Sequence, residues 1–134
     1  VAFELNAALW PCAPGQGALG LELRASDATR WPTLTRLEHP PTRACVEAER
    51  HLLEVSGGGC HSAFGAWASL QKGSATIHIA LSDEVHGFRR ATFAAPELDQ
   101  AVQEAADWLR LGAPPRPAPD AQEEWLCRPV PASC

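Results

Sequence analysis

The 134-residue chain carries 11 Lys and Arg against 16 Asp and Glu, a formal charge of −5, so it lacks the basic field that attracts nucleic acid and other polyanions. Its 46% hydrophobic and 20% charged residues are those of a folding domain rather than a disordered tract, and the length suits one domain with accessory segments. No apolar run approaches the ~20 residues that a membrane helix needs, and the first twenty residues lack the basic and apolar regions of a signal peptide, so a cytoplasmic protein without a membrane partner is expected.

Residues 1–10 form an apolar stretch with no evident partner before it, and Pro11, Pro14 and Gly15 then mark a turn. In residues 17–24, Leu19, Leu21 and Leu23 share one face at period 2, which predicts a strand in need of a sheet. A short helix is predicted within residues 27–37, with Asp27 able to cap it and Pro32 restricting its course. Thr42 is placed to cap a longer helix reaching Ser56, with Cys45, Ala48, Leu52 and Val55 on its apolar face. Glu47, Glu49, Arg50 and Glu54 read as its charged, solvated side, and of these only Arg50 is expected to dock against other parts of the molecule.

Gly57 supplies the helix stop, and three strands follow over residues 64–71, 75–82 and 88–93, joined by turns at Lys72-Gly73-Ser74 and between Asp83 and Gly87. In the second of them Ala75, Ile77, Ile79 and Leu81 face inward and Thr76, His78 and Ser82 outward. Pro96 opens a second helix whose stripe is Leu98, Ala101, Val102, Ala105 and Leu109, and Gly112 closes it. Residues 40–112 are therefore expected to be an α+β unit of order α-β-β-β-α, a small antiparallel sheet with helices on one face. Residues 1–39 precede this unit. Residues 113–134 form a proline-rich linker, with four prolines between Ala113 and Asp120, and a tail that could make one helical turn around Trp125.

The five cysteines, Cys12, Cys45, Cys60, Cys127 and Cys134, are odd in number, widely spaced and without a C-x-x-C pair, so neither a disulfide framework nor a metal site is expected. Cys60 stands apart because it follows Gly57, Gly58 and Gly59 at a helix-to-strand junction, where bare backbone lets a bulky adduct approach. By itself the run equally describes capping glycines before a buried thiol. The Gly15-Gln16-Gly17 turn offers N–H groups and a carboxamide suited to a carboxylate or carbonyl, although alone it is also a plain turn.

Three ordered motifs, Pro14-Gly15-Gln16-Gly17-Ala18-Leu19-Gly20-Leu21-Glu22, then Glu47-Ala48-Glu49-Arg50, then Gly58-Gly59-Cys60, resemble those of the hydroxymethylbilane synthase (porphobilinogen deaminase) family over residues 8 to 112. The resemblance implies that Cys60 carries a thioether-linked dipyrromethane cofactor, a primer onto which four porphobilinogen units are added with loss of ammonia. It also implies that Gly15, Gln16 and Gly17 lie along the cleft that binds porphobilinogen and the growing polypyrrole. Residues 1–12 would end the enzyme's second domain, 17–37 would be a strand and helix returning to an absent α/β first domain, and 40–112 would be the cofactor-bearing third domain. The catalytic aspartate and arginine cluster would belong to the missing N-terminal domains, so this chain is expected to hold no catalytic residue and to be inactive alone.

His61-Ser62-Ala63-Phe64-Gly65 lacks the proline that the family usually places after the cysteine. Two other readings remain open. The α-β-β-β-α order is also that of double-stranded RNA-binding domains, against which the charge stands. A cysteine hydrolase would pair Cys60 with His51, His61, His78 or His86, a pairing for which the spacing gives no reason.

Overall fold

The computed structural model describes residues 3–58, 62–112 and 127–129; Cys60 with its neighbours Gly59 and His61, Trp125 and the proline-rich linker lie outside the described residues. Strand β1 (Phe3–Leu5) leads to two consecutive 3-10 helices, Ala25–Arg30 and Pro32–Leu37. Helix α1 (Pro40–Val55), strands β2 (Phe64–Gln71), β3 (Ser74–Asp83) and β4 (Gly87–Ala95), and helix α2 (Leu98–Leu111) follow, and β5 (Cys127–Pro129) pairs antiparallel with β1. The expected α-β-β-β-α unit with an antiparallel sheet of order β2-β3-β4 is present.

Alternation along the strands sets the core. Ala66, Ile79 and Ala91 are cross-strand neighbours, as are Ala68, Ile77 and Phe93, and all six are buried. They meet Leu52 of α1 and Ala101, Ala105 and Trp108 of α2 in one cluster. Nine of the fifteen buried hydrophobic residues described are alanines, so the helices sit close to the sheet and the few large side chains, Phe93, Leu52, Ile77 and Ile79, fill what space remains. Trp108 meets Phe93 edge-on at 6.0 Å between ring centroids.

Several sequence expectations are corrected. Residues 17–24 form no strand, because no described strand lies beside them to take their backbone hydrogen bonds; Leu19 is 97% exposed and Leu21 67%. The 27–37 helix is two 3-10 helices meeting at Trp31, since Pro32 cannot continue the first. Its predicted cap Asp27 lies inside the first turn, where Arg24 is the cap residue. Helix α1 starts at Pro40 rather than after Thr42, with prolines in its first two positions, where a missing N–H costs nothing. Helix α2 begins two residues after Pro96, and its end is as expected, with Gly112 at φ 59°.

The β3–β4 turn is held by one side chain. Asp83 Oδ1 accepts the N–H groups of Val85 (3.0 Å) and His86 (2.7 Å), and Oδ2 accepts from Arg89 at 2.7 Å. These bonds, the His86 N–H first, hold the Asp83 carboxyl down at about 2 against a usual 3.8. A carboxylate depressed in the fold adds stability above its unfolded value and loses it as pH falls through the folded one. Denaturation midpoints are therefore expected to drop between about pH 4 and pH 2, and Asp83→Asn should flatten that limb in the same urea melts. A limb unchanged in Asp83→Asn would remove the turn from the account of acid stability.

Candidate functional site

The Gly15-Gln16-Gly17 turn is built by local bonds. Gln16 N–H donates to the Ala13 carbonyl at 3.0 Å and Ala18 N–H to that of Gly15 at 3.2 Å. Gly15 at φ 71° and Gly17 at φ 86° occupy the left-handed region that side chains disfavour, which is why both positions are glycine. The Gln16 side-chain oxygen folds back to accept from Ala13 N–H at 3.3 Å.

What fixes this turn to the α+β unit is Glu49. The sequence reading put Glu49 on the solvated side of α1; it is instead 6% exposed. Its Oε2 accepts the Gly15 N–H at 2.7 Å and its Oε1 the Ala68 N–H of β2 at 2.9 Å. One carboxylate thus ties the glycine turn, the helix and the edge strand together. The sequence suggests a loop suited to a carboxylate or carbonyl, and at Gly15 the carboxylate that the N–H meets belongs to the protein. The expected docking residue Arg50 is exposed, although its side chain lies near Gly15, 3.6 Å from where a Cβ would stand.

A groove of about 360 Å³ opens over this clasp. Gly15, Gln16 and Gly17 line one side, and Cys45, Glu49, Trp67 and Leu70 the other. Burial pushes the Cys45 thiol up, with the Glu49 carboxylate adding to the effect and a backbone hydrogen bond at Leu70 opposing it. Cys45 is accordingly a neutral packing thiol. Trp67 stacks on His78 with centroids 5.3 Å apart and planes 15° from parallel. His78 Nδ1 lies 3.0 Å from Thr92 Oγ1, and burial lowers its pKa. His78 therefore stands on the outward face that strand alternation suggested, covered there as a buried, neutral partner in a stack.

The segment before the groove also docks on the sheet. Cys12 carbonyl accepts the Ala66 N–H at 2.9 Å, and the Pro11 carbonyl passes so close to Gly65 that a Cβ there would lie 2.2 Å from it. Beyond α1, Ser56 Oγ receives the Gly58 N–H at 3.2 Å, and a Cβ on Gly58 would meet Ser62 Oγ at 2.5 Å. Gly57, at φ 71°, has nothing within 4 Å of that position. Along the chain toward Cys60 the backbone is therefore open at Gly57 and crowded at Gly58. Cys60 itself, the cysteine singled out in the sequence, lies outside the described residues.

The Arg89-Arg90 pair is split by the sheet. Arg89 points to the helix face, 6% exposed, with its guanidinium 5.3 Å from the Trp108 ring and bonded to Asp83. Arg90, on the other face, is exposed and lies 5.6 Å over Phe88. Among the described residues no group of His, Cys, Asp and Glu is placed to hold a metal ion, and no helix is long and apolar enough to cross a membrane.

No family model matches the chain. Among curated proteins, the porphobilinogen deaminase of Chromobacterium violaceum is 49% identical over 65 residues, 48% of this chain and 21% of that protein. That of Desulforudis audaxviator is 42% identical over 73 residues, 53% of this chain and 24% of that protein. That of Syntrophobacter fumaroxidans is 40% identical over 84 residues, 61% of this chain and 27% of that protein. The chain spans about a quarter of the length of the curated relatives it matches.

Proposed function

We propose that this chain, similar to porphobilinogen deaminases over about a quarter of their length, is the cofactor-bearing portion of a hydroxymethylbilane synthase (porphobilinogen deaminase), a transferase of porphyrin biosynthesis, in which Cys60 is the covalent attachment point. When bound there, a dipyrromethane supplies the primer to which four porphobilinogen units are added with loss of ammonia. The observation that carries this reading is the glycine-lined approach to Cys60, open at Gly57 and without room for a side chain at Gly58, at the end of the helix whose Glu49 grips the Gln16 turn.

In this reading Cys60 tethers, which keeps the growing chain at high effective concentration. Gln16 and Gly17 line the pyrrole-binding groove, and Gly15 serves it through its bond to Glu49. The exposed Leu19, Leu21 and Leu23 offer an apolar face on which the N-terminal domains would add a sheet. The aspartate and arginines that perform the chemistry would come from those domains, in the cytoplasm. Of the other two readings, the RNA-binding one shares the α-β-β-β-α order but is opposed by the formal charge of −5, and for a cysteine hydrolase His78 is engaged in its stack.

The test is intact-mass analysis of this chain after co-expression with the N-terminal part of a relative. A dipyrromethane increment is expected on the parent chain and none on Cys60→Ser. An unmodified parent, or an equal increment on Cys60→Ser, would refute the attachment. Without the N-terminal part the chain should make no hydroxymethylbilane from porphobilinogen, and measurable turnover would show that catalytic groups are present here.

A further inference from the structure

Trp67 belongs to two arrangements at once. It lines the Gln16 groove, and on the outer face of the sheet its ring lies on His78, 5.3 Å between centroids and 15° from parallel. Trp67, His78 and Thr92 are cross-strand partners in one row. His78 Nδ1 completes the row at 3.0 Å from Thr92 Oγ1. The row therefore fixes where the indole stands in the groove wall. It also explains why His78 is only 8% exposed on the face away from the helices.

The surroundings favour a neutral imidazole. Of the strand residues on this face only Arg90 is charged, and it leans away over Phe88. The arm that crosses at Gly65 brings one titratable group, the Cys12 thiol. Glu49 is engaged at the β2 edge by Gly15 and Ala68, so no carboxylate of the described strands or arm stands on this face. Burial pushes the His78 pKa down. Once a proton is taken up, both ring nitrogens are donors. Thr92 Oγ1 can accept from Nδ1, but among the described residues Nε2 has no hydrogen-bond partner, so the cation must reach water. The attraction of a cation to an indole face is weaker than the hydration that a buried cation forgoes, and the stack yields.

We infer that the Trp67–His78–Thr92 row is a proton-operated latch on the Gln16 groove: neutral His78 holds the Trp67 indole in the groove wall, and protonated His78 turns toward water and releases it. The latch does not depend on what the groove binds, so it goes beyond the proposed function and stands apart from it. Ile77 and Ile79 flank His78 in β3 but belong to the core, so the groove changes shape while the core stays intact.

The test is an NMR titration of the whole isotope-labelled chain from about pH 8 to about pH 4, with the Trp67 indole signal assigned by Trp67→Phe. The His78 ring should titrate below its usual 6.5, and the Trp67 indole and the Gln16, Gly17 and Leu70 amides should shift with the same midpoint. Amide exchange at Ile77 and Ile79 should stay slow through that step. His78→Gln, which hydrogen-bonds without titrating, should abolish the shared step. His39 also lines the groove and is retained in that variant, so a step that survives there belongs to another group and overturns the latch. Thr92→Val, which leaves the imidazole in place, should move the shared midpoint further down, because the imidazolium loses its one acceptor. The latch is equally overturned by a His78 that does not titrate in this range, or by one that titrates while Trp67 and the groove amides stay still. Core amides that open at the same midpoint, or a midpoint unmoved in Thr92→Val, would do the same. None of these readouts involves an adduct or turnover, so they fail independently of the intact-mass experiment.

Discussion

Replacing Glu49 by alanine is expected to destabilise the fold by about 2–4 kcal/mol, because two N–H donors lose a charged acceptor at once. Gly15 N–H and Ala68 N–H both end on this carboxylate, at 2.7 and 2.9 Å, and hydrogen bonds to charged groups contribute about 1.5–3 kcal/mol each. The Ala68 N–H is buried and faces the interface with α1, so water replaces the lost acceptor poorly there. The turn around Gln16 is more open and should recover part of its loss. For a unit of this size the melting temperature should fall by roughly 10–25 °C.

Glu49→Gln separates charge from shape. Its amide oxygen can accept one of the two N–H groups while its NH2 confronts the other donor, so it should lose a substantial part of the stability that alanine loses, although its volume is unchanged. Hydrogen exchange assigns the effect. The Gly15 and Ala68 amides should lose protection together, while Ile77 and Ile79 in the central strand follow only the global change. If Glu49→Ala melts within a degree or two of the parent, or if only one of the two amides responds, the carboxylate is not the clasp described.

Glu49 was legible in principle. It lies four residues after Cys45 and three before Leu52, which puts it on the apolar face of α1 rather than the charged one. The neighbouring Glu47 and Arg50 disguised it as part of a solvated run. A carboxylate on a buried stripe asks where its donors are, and the glycine turn upstream, read as a carboxylate receptor, was the answer.

The helices and strands of residues 40–112 were readable because their periods are clean and their stops are chemically explicit, as at Gly73 and Gly112. Residues 17–24 were misread for a complementary reason: alternating leucines state a preference for a sheet, and a strand also needs a neighbour with free backbone groups. Strand alternation accounts for the outward face of His78 and for the division of Arg89 from Arg90, but not for the burial of His78. Which outward-facing residues become covered depends on Trp67 across the strand and on what packs at each end of the sheet.

Gly65 carries the last expectation, and its role is invisible in the sequence. It is not among the glycines with positive φ, so backbone conformation alone would admit alanine. The obstacle is the chain that crosses it. An added Cβ would lie 2.2 Å from the Pro11 carbonyl oxygen, 3.1 Å from its carbon and 3.3 Å from the Cys12 oxygen, all backbone atoms that no rotamer change can move aside. Gly65→Ala should therefore lift the 11–12 segment from β2 and break the bond from Ala66 N–H to the Cys12 carbonyl, now 2.9 Å. Overpacking costs about 1–3 kcal/mol, and the lost hydrogen bond adds about 1 kcal/mol. The damage should be regional. Gly65 still pairs with Ala80 in β3, so the sheet and its core persist, whereas the recess bounded by Leu9, Trp10 and Pro11 opens and the Gln16 turn loses its second point of attachment. In amide exchange Ala66 should become fast while Ile77 and Phe93 remain slow. Unchanged protection at Ala66 would mean that the arm yields to the methyl group without leaving the strand, and the hold of β2 on the segment before Gln16 would then rest on Glu49 alone.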